Sequence, residues 1–195
     1  MAKCPEGLVY GDKLTSEWRS KNLGKAAGGG ETSKAEHYQR KAVEDGTGLE
    51  CPKSDGTRIN FRKNKLEKRF RPLAGDDGFD YTEDFDGMQN APFGLVLISF
   101  KCVCKTSKGG GGGNQTRTLR DACYTFAEYQ LKLLLKSKKK ELFFANILDG
   151  DESNARMKHF KYLCSLPEYS SVAHRVYAGH LGGYFDWFNK CATKE

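Results

Sequence analysis

Six carboxylates, Asp76, Asp77, Asp80, Glu83, Asp84 and Asp86, fall between positions 76 and 86, and the apolar segment that follows delivers Ser99 and Lys101 two residues apart. Carboxylate oxygens gathered at one locus are hard ligands for a divalent cation. A lysine beside them offsets charge that develops on a phosphate. The pattern therefore carries the local chemistry of metal-dependent phosphodiester cleavage, against the alternative of a solvated acidic loop with Lys101 at a strand end in water. On a strand, Leu97, Ser99 and Lys101 share one face and Ile98, Phe100 and Cys102 the other. An ammonium buried on a central strand is costly unless carboxylates or a ligand meet it. Asp84 and Asp86 share a face if their stretch is extended, and the eight residues between Asp86 and Leu95 allow an antiparallel pairing that brings them towards Lys101.

The elements that must position these groups follow from periodicity. Leu95 to Cys104 is a continuous apolar run, as in a central strand covered on both faces. Phe79 to Phe85 alternates weakly, as an edge strand does, and Gly87 to Pro92 holds turn residues. Thr116 to Lys136 carries an apolar stripe at i, i+3/i+4 and predicts the best helix of the chain, with lysines at its C-terminal end complementing the dipole. Leu142 to Leu148 reads as a second buried strand. A helix capped by Asp151 or Ser153 ends at Pro167. Arg175 to Gly179 is a third strand, and Gly182-Gly183 introduces a final helix over Tyr184 to Cys191. Upstream, a helix starts at Thr32 or Ser33 with Glu36 as capping-box partner and ends before Gly46. Asn60 to Arg69 is expected as a basic helix or an irregular arm. Strands alternating with helices give an α/β fold with a mixed sheet flanked by helices. Residues 1–31 form an extension or linker-joined arm, and 32–195 a single α/β domain. The glycine run Gly109 to Gly113 is a flexible insertion, because no Gly-Lys-Ser/Thr follows it as a phosphate loop requires.

Net charge is +7, unevenly spread over 195 residues. Between Arg58 and Arg71 seven Lys or Arg face the single acid Glu67. A basic surface beside an acidic locus suits a chain that attracts a polyanion and then meets it with a cation. Arg58, Arg62, Lys63, Lys65 and Arg69 are the phosphate-contact candidates. Arg117 and Arg120, near a helix N-terminus whose dipole they oppose, either face an anion or pair with Asp121 or Glu128. The seven cysteines are scattered, and no signal peptide or membrane span is evident, which predicts an intracellular (nuclear or cytoplasmic) chain with reduced thiols and no membrane partner. Cys102 and Cys104 share a strand face but lack the second pair that a zinc site needs. Cys123 could act as a nucleophile only beside a histidine, and the four histidines show no ligand or triad spacing.

Acids near one strand, polar-x-Lys on the next, then a long helix and a further strand resemble the PD-(D/E)XK (restriction-endonuclease-like) nuclease superfamily, over a core of residues 79–148. The resemblance implies Mg²⁺ (or Mn²⁺) held by Asp86, or Asp84, with Lys101 beside the attacking water. Ser99 departs from the family pattern by standing where the second acid belongs. Some members with Ser-x-Lys take that acid from the following helix, where Asp121 and Glu128 lie seven residues apart on one face. The resemblance also implies that Gln130 lies near the site. The implied partner is DNA, with RNA and a second copy of the chain as partners it also allows. The alternative is an inactive nucleic-acid- or protein-binding module, of effector or virus-like kind, that keeps the fold.

Overall fold

The computed structural model describes residues 1–24, 34–68, 80–105 and 117–193. Strands β4 (Gly87–Ala91), β5 (Gly94–Cys102), β6 (Leu142–Asp149) and β7 (Val176–Gly179) form a mixed sheet in the order β4-β5-β6-β7. β4 runs antiparallel to β5, while β5, β6 and β7 are parallel. The parallel joins need crossovers, and the chain supplies them as α3 (Thr125–Lys136) between β5 and β6 and α4 (Asp151–Ser165) between β6 and β7. All eight residues of β6 are buried, as its unbroken apolar run requires of a strand covered on both faces.

The two faces of this sheet carry two cores. On one, Leu97, Leu142, Phe144 and Leu148 pack with Phe126, Ala127, Leu131 and Leu134 of α3 and with Phe160 and Leu163 of α4. On the other, Val96, Ile98, Phe100, Phe143, Ala145 and Ile147 pack with Ala42 and Val43 of α2 (Lys34–Thr47) and with Tyr184, Phe185 and Phe188 of α5 (Leu181–Ala192). Period-2 alternation along β5 thus assigns Leu97, Ser99 and Lys101 to the α3 side and Phe100 to the α2 side.

Beside this sheet stands an antiparallel three-stranded one, β2 (Lys65–Lys68), β1 (Thr57–Asn60) and β3 (Tyr81–Asp84), in the order β2-β1-β3. The basic stretch after Asn60 is therefore neither helix nor irregular arm but a hairpin. Its turn is made locally: the Asn60 side chain accepts from the Lys63 N–H at 2.9 Å, and Asn64 takes the left-handed conformation at φ +52. β3 is an edge strand, as its alternation implies, and its end feeds through Phe85 and Asp86 directly into β4. Gly87 to Ala91, expected as turn, is strand. Only Pro92 and Phe93 turn, and Phe93 is buried among Phe143 and Phe188.

Two further boundaries differ from the sequence pattern. α2 runs through Gly46 to Thr47, with Gly48 as its left-handed cap at φ +70. Gly46 is there for close approach: a Cβ would lie 2.2 Å from the Phe185 ring and 2.6 Å from the Lys3 carbonyl. The long helix begins as a π-helical turn, Thr118–Tyr124, before α3 proper. Residues 1–24, including α1 (Ser16–Leu23), lie against the domain. Leu14 is fully buried, Lys3 N donates to Gly46 O at 2.7 Å, and Ala2 exchanges hydrogen bonds with the Asn189 amide at 2.7 and 2.8 Å. Among the described residues no helix is long and apolar enough to cross a membrane.

Candidate functional site

The register of the β4–β5 hairpin decides where the acids meet the lysine. Gly87 pairs with Ile98, so Asp86, one residue before β4, falls beside Ser99 and Phe100. Its N–H donates to Ile98 O at 2.9 Å. β5 runs on past the end of β4, leaving the Phe100 N–H without a ladder partner, and the Asp86 carboxylate takes that place at 2.7 Å. The Ser99 hydroxyl donates to the same oxygen at 3.4 Å. Lys101, at the outer end of the strand, forms an ion pair with Glu83 of β3 at 2.8 Å. The sequence-predicted group of Asp86, Ser99 and Lys101 is thus brought together, with Glu83 in place of Asp84 as the second acid from the acidic run.

Helix α2 adds a wall that was missed. Glu36, Gln39, Asp86, Phe100 and Lys101 line one cleft of about 340 Å³, together with Arg19, Cys102, Cys104 and Thr118. Glu36 is held by Arg40 one turn on, at 2.8 Å, and the Arg40 guanidinium also donates to the carbonyls of Cys51 and Asp86 and lies 5.5 Å above the Phe100 ring. A single helical turn therefore holds the Asp86 carbonyl and places Glu36 on the cleft that Asp86 also lines. The signal was present in the sequence only as Glu36 in a capping position, with nothing to tie a helix fifty residues upstream to Asp86.

Electrostatics follow from burial. Desolvation pushes the Asp86 carboxyl up to about 6, with Glu36 and Asp84 adding to the push and Lys101 and the Phe100 N–H opposing it. Burial works against the Lys101 charge, yet Asp86 and Glu83 outweigh it and hold the ammonium above its usual range. Three carboxylates (Glu36, Glu83, Asp86) meet three cations (Arg19, Arg40, Lys101), so the locus is close to charge balance. Mg²⁺ is ordinarily held by one or two carboxylates, with water and substrate phosphates completing its shell. Asp86 and Glu36 are the two carboxylates among the residues that line the cleft. Among the described residues no group of three or more His, Cys, Asp or Glu side chains is arranged to hold a metal ion unaided.

The remaining candidates lie elsewhere. Asp84 pairs with Arg58 across β1–β3 at 3.1 Å and is exposed. On the helix after β5, Asp121 pairs with Arg120 at 2.6 Å and Glu128 with Lys132 at 2.5 Å, both towards solvent, so neither helix acid lines the cleft. Gln130 is fully buried and exchanges amide hydrogen bonds with Asn146 at 2.9 and 2.7 Å. Asn146 is the register partner of Ser99 on β6, so Gln130 lies one residue behind the site as core structure. Arg62 pairs with Asp80 at 3.0 Å and Lys65 with Glu67 at 2.6 Å, whereas Lys63 and Arg117 are exposed and Arg69 lies outside the described residues. Burial pushes the Cys123 thiol up to about 12 against the opposing charge of Lys101, which favours the protonated thiol. Comparison with protein-family models, with curated proteins and with solved structures finds no match to this chain.

Proposed function

We propose that this chain is a metal-dependent phosphodiesterase acting on DNA, with the restriction-endonuclease-like arrangement of hairpin, helix and parallel strand. The observation that carries it is the convergence of a half-buried carboxylate of raised proton affinity (Asp86) and a charged lysine (Lys101) at the open end of one strand, on a polar cleft that a helix carboxylate (Glu36) also lines. An isolated buried carboxylate is costly, and a second one facing it more so. Such a pair is relieved by a divalent cation.

Mg²⁺ or Mn²⁺ held by Asp86 and Glu36 would supply Lewis-acid polarisation of a phosphoryl oxygen and a more acidic bound water. The chain's own residues do the rest. Glu83 and Asp86 keep Lys101 protonated, so its ammonium can offset charge developing on the phosphate at every neutral pH. Ser99, in place of a second strand acid, donates to Asp86 and orients its carboxylate. Arg40 fixes Glu36 and, through the Asp86 carbonyl, the backbone that carries its partner. The hairpin β1–β2, with Arg58, Arg62, Lys63 and Lys65, supplies the basic flank. In its pairs with Asp80 and Glu67 the cations Arg62 and Lys65 are the exposed partners, at 77% and 55%, so these two side chains are open to phosphates.

A second reading, a binding module without catalysis, is favoured by the outward placement of Asp121 and Glu128. Supercoiled plasmid incubated with the protein in Mg²⁺ or Mn²⁺, with an EDTA control, separates the two. Nicking that disappears in EDTA and in Lys101→Ala and Asp86→Ala supports the enzyme. DNA retention with no nicking by the wild type, or equal nicking by all three proteins, supports the module or a contaminant.

A further inference from the structure

A second cavity, of about 350 Å³, adjoins the cleft through consecutive residues of the π-helical turn: Thr118 lines the cleft and Leu119 and Arg120 line the cavity. Its inner wall is apolar, made by Leu119 and by Tyr124 and Phe160, whose rings lie 5.9 Å apart. At its rim stands Tyr162, 63% exposed, a large aromatic ring left in water. The rest of the rim is polar, with His159 and the two cations Arg120 and Arg156. The two arginines are not equivalent. Arg120 pairs with Asp121 where both side chains are more than half exposed, so that pair contributes little and its guanidinium can exchange partners. Arg156 pairs with Glu152, whose side chain is only 4% exposed, and leaving that carboxylate unpaired would be costly. Arg156 therefore stays in place and offers its planar face.

We propose that this cavity takes a nucleobase of single-stranded nucleic acid, stacked on Tyr162, with the adjacent phosphate on Arg120. An apolar slot with an aromatic face and an exchangeable cation at its mouth matches a planar ring tethered to an anion. Thr118 and Leu119 are consecutive, so the slot and the cleft are lined by one segment of the chain. π-helical turns recur at functional sites, and Thr118, Leu119 and Arg120 all belong to this one. The proposal deepens the phosphodiesterase reading by naming a single-stranded or locally opened substrate.

The test is binding without cleavage. Fluorescence anisotropy of labelled oligo-dT, and of an abasic oligomer of equal length, is measured in EDTA with the full chain carrying Lys101→Ala. The expected result is tighter binding of oligo-dT than of the abasic oligomer by about tenfold, lost in Tyr162→Ala and kept in Tyr162→Phe, with abasic binding unchanged in both. Arg120→Ala should weaken both oligomers alike. Tyr162 is exposed, so its replacement leaves the core intact. Equal binding of the two oligomers, no binding of either, or oligo-dT binding indifferent to Tyr162→Ala overturns the proposal. Plasmid nicking by the unmodified chain, if it survives that result, leaves the phosphodiesterase reading standing without the base slot.

Discussion

Replacing Asp86 by Asn removes one negative charge at nearly constant shape, and the structure says what that does to stability. In the metal-free protein the Asp86 carboxyl titrates at about 6, against 3.8 for an unburied aspartate. A folded-state value above the unfolded one means that the native protein binds the extra proton between these limits. Unfolding free energy therefore falls as pH rises from about 4 to about 6 and then levels off. At 1.36 kcal/mol per pH unit the loss is about 3 kcal/mol, a ceiling because the carboxylate retains some contact with solvent and with Lys101. Asn keeps an oxygen to accept from the Phe100 N–H and carries no charge to desolvate. Asp86→Asn should thus be the more stable protein at pH 7 in EDTA, by about 1–3 kcal/mol, and should lose this advantage below pH 4. Urea denaturation of both proteins in EDTA across pH 4–8 measures it, and millimolar Mg²⁺ should raise the wild type selectively. Parallel pH profiles for the two proteins would refute the reasoning, since the carboxyl would then titrate normally.

Gly46→Ala drives a methyl into the Phe185 ring and the Lys3 carbonyl, and should lower thermal stability by roughly 1–3 kcal/mol while exposing the first residues to proteolysis. Gln130→Leu leaves the Asn146 Oδ1 without a partner in the core, while its Nδ2 keeps the Tyr177 carbonyl, and should cost about 1–3 kcal/mol in chemical denaturation. The double variant Gln130→Leu, Asn146→Leu should cost less than the sum of the two singles, as a coupled pair requires. In native thiol titration Cys4, exposed, should react fast and Cys123 only on unfolding. Lys63→Glu on the hairpin turn should weaken DNA binding at low salt and flatten its dependence on salt concentration, read by anisotropy.

The mixed sheet was legible because its strands announce themselves: Leu95 to Cys102 and Leu142 to Asp149 are apolar on both faces, and only a covered strand tolerates that. The pairing of Asp86 with the Ser99–Lys101 strand was legible too, since a short connection between an acidic stretch and an apolar one admits an antiparallel hairpin. Periodicity could not separate hairpin from helix between Thr57 and Lys68, where basic residues crowd both patterns. The Asn60 side chain and the left-handed Asn64 settle it through a turn whose chemistry is local. Nor does a lone sequence reveal which distant acid faces Asp86. The helix acids Asp121 and Glu128 had the right spacing, but the π-helical turn and their neighbours Arg120 and Lys132 carry them to solvent. Glu36 had no spacing signal at all, because its approach depends on α2 packing over Phe100, a tertiary fact.

Single-turnover cleavage of a DNA substrate in Mg²⁺ by Glu36→Gln, Asp86→Asn, Lys101→Ala and the pair Asp121→Asn, Glu128→Gln tests most directly which groups form the site. The first three should each lose about 10²-fold or more, the scale of a deleted charge-stabilising group, and the helix-acid pair should stay within about threefold of wild type, the scale of an exposed ion pair. Full activity in Asp86→Asn or Lys101→Ala, or a loss confined to Asp121→Asn, Glu128→Gln, would contradict a site built on Asp86, Glu36 and Lys101.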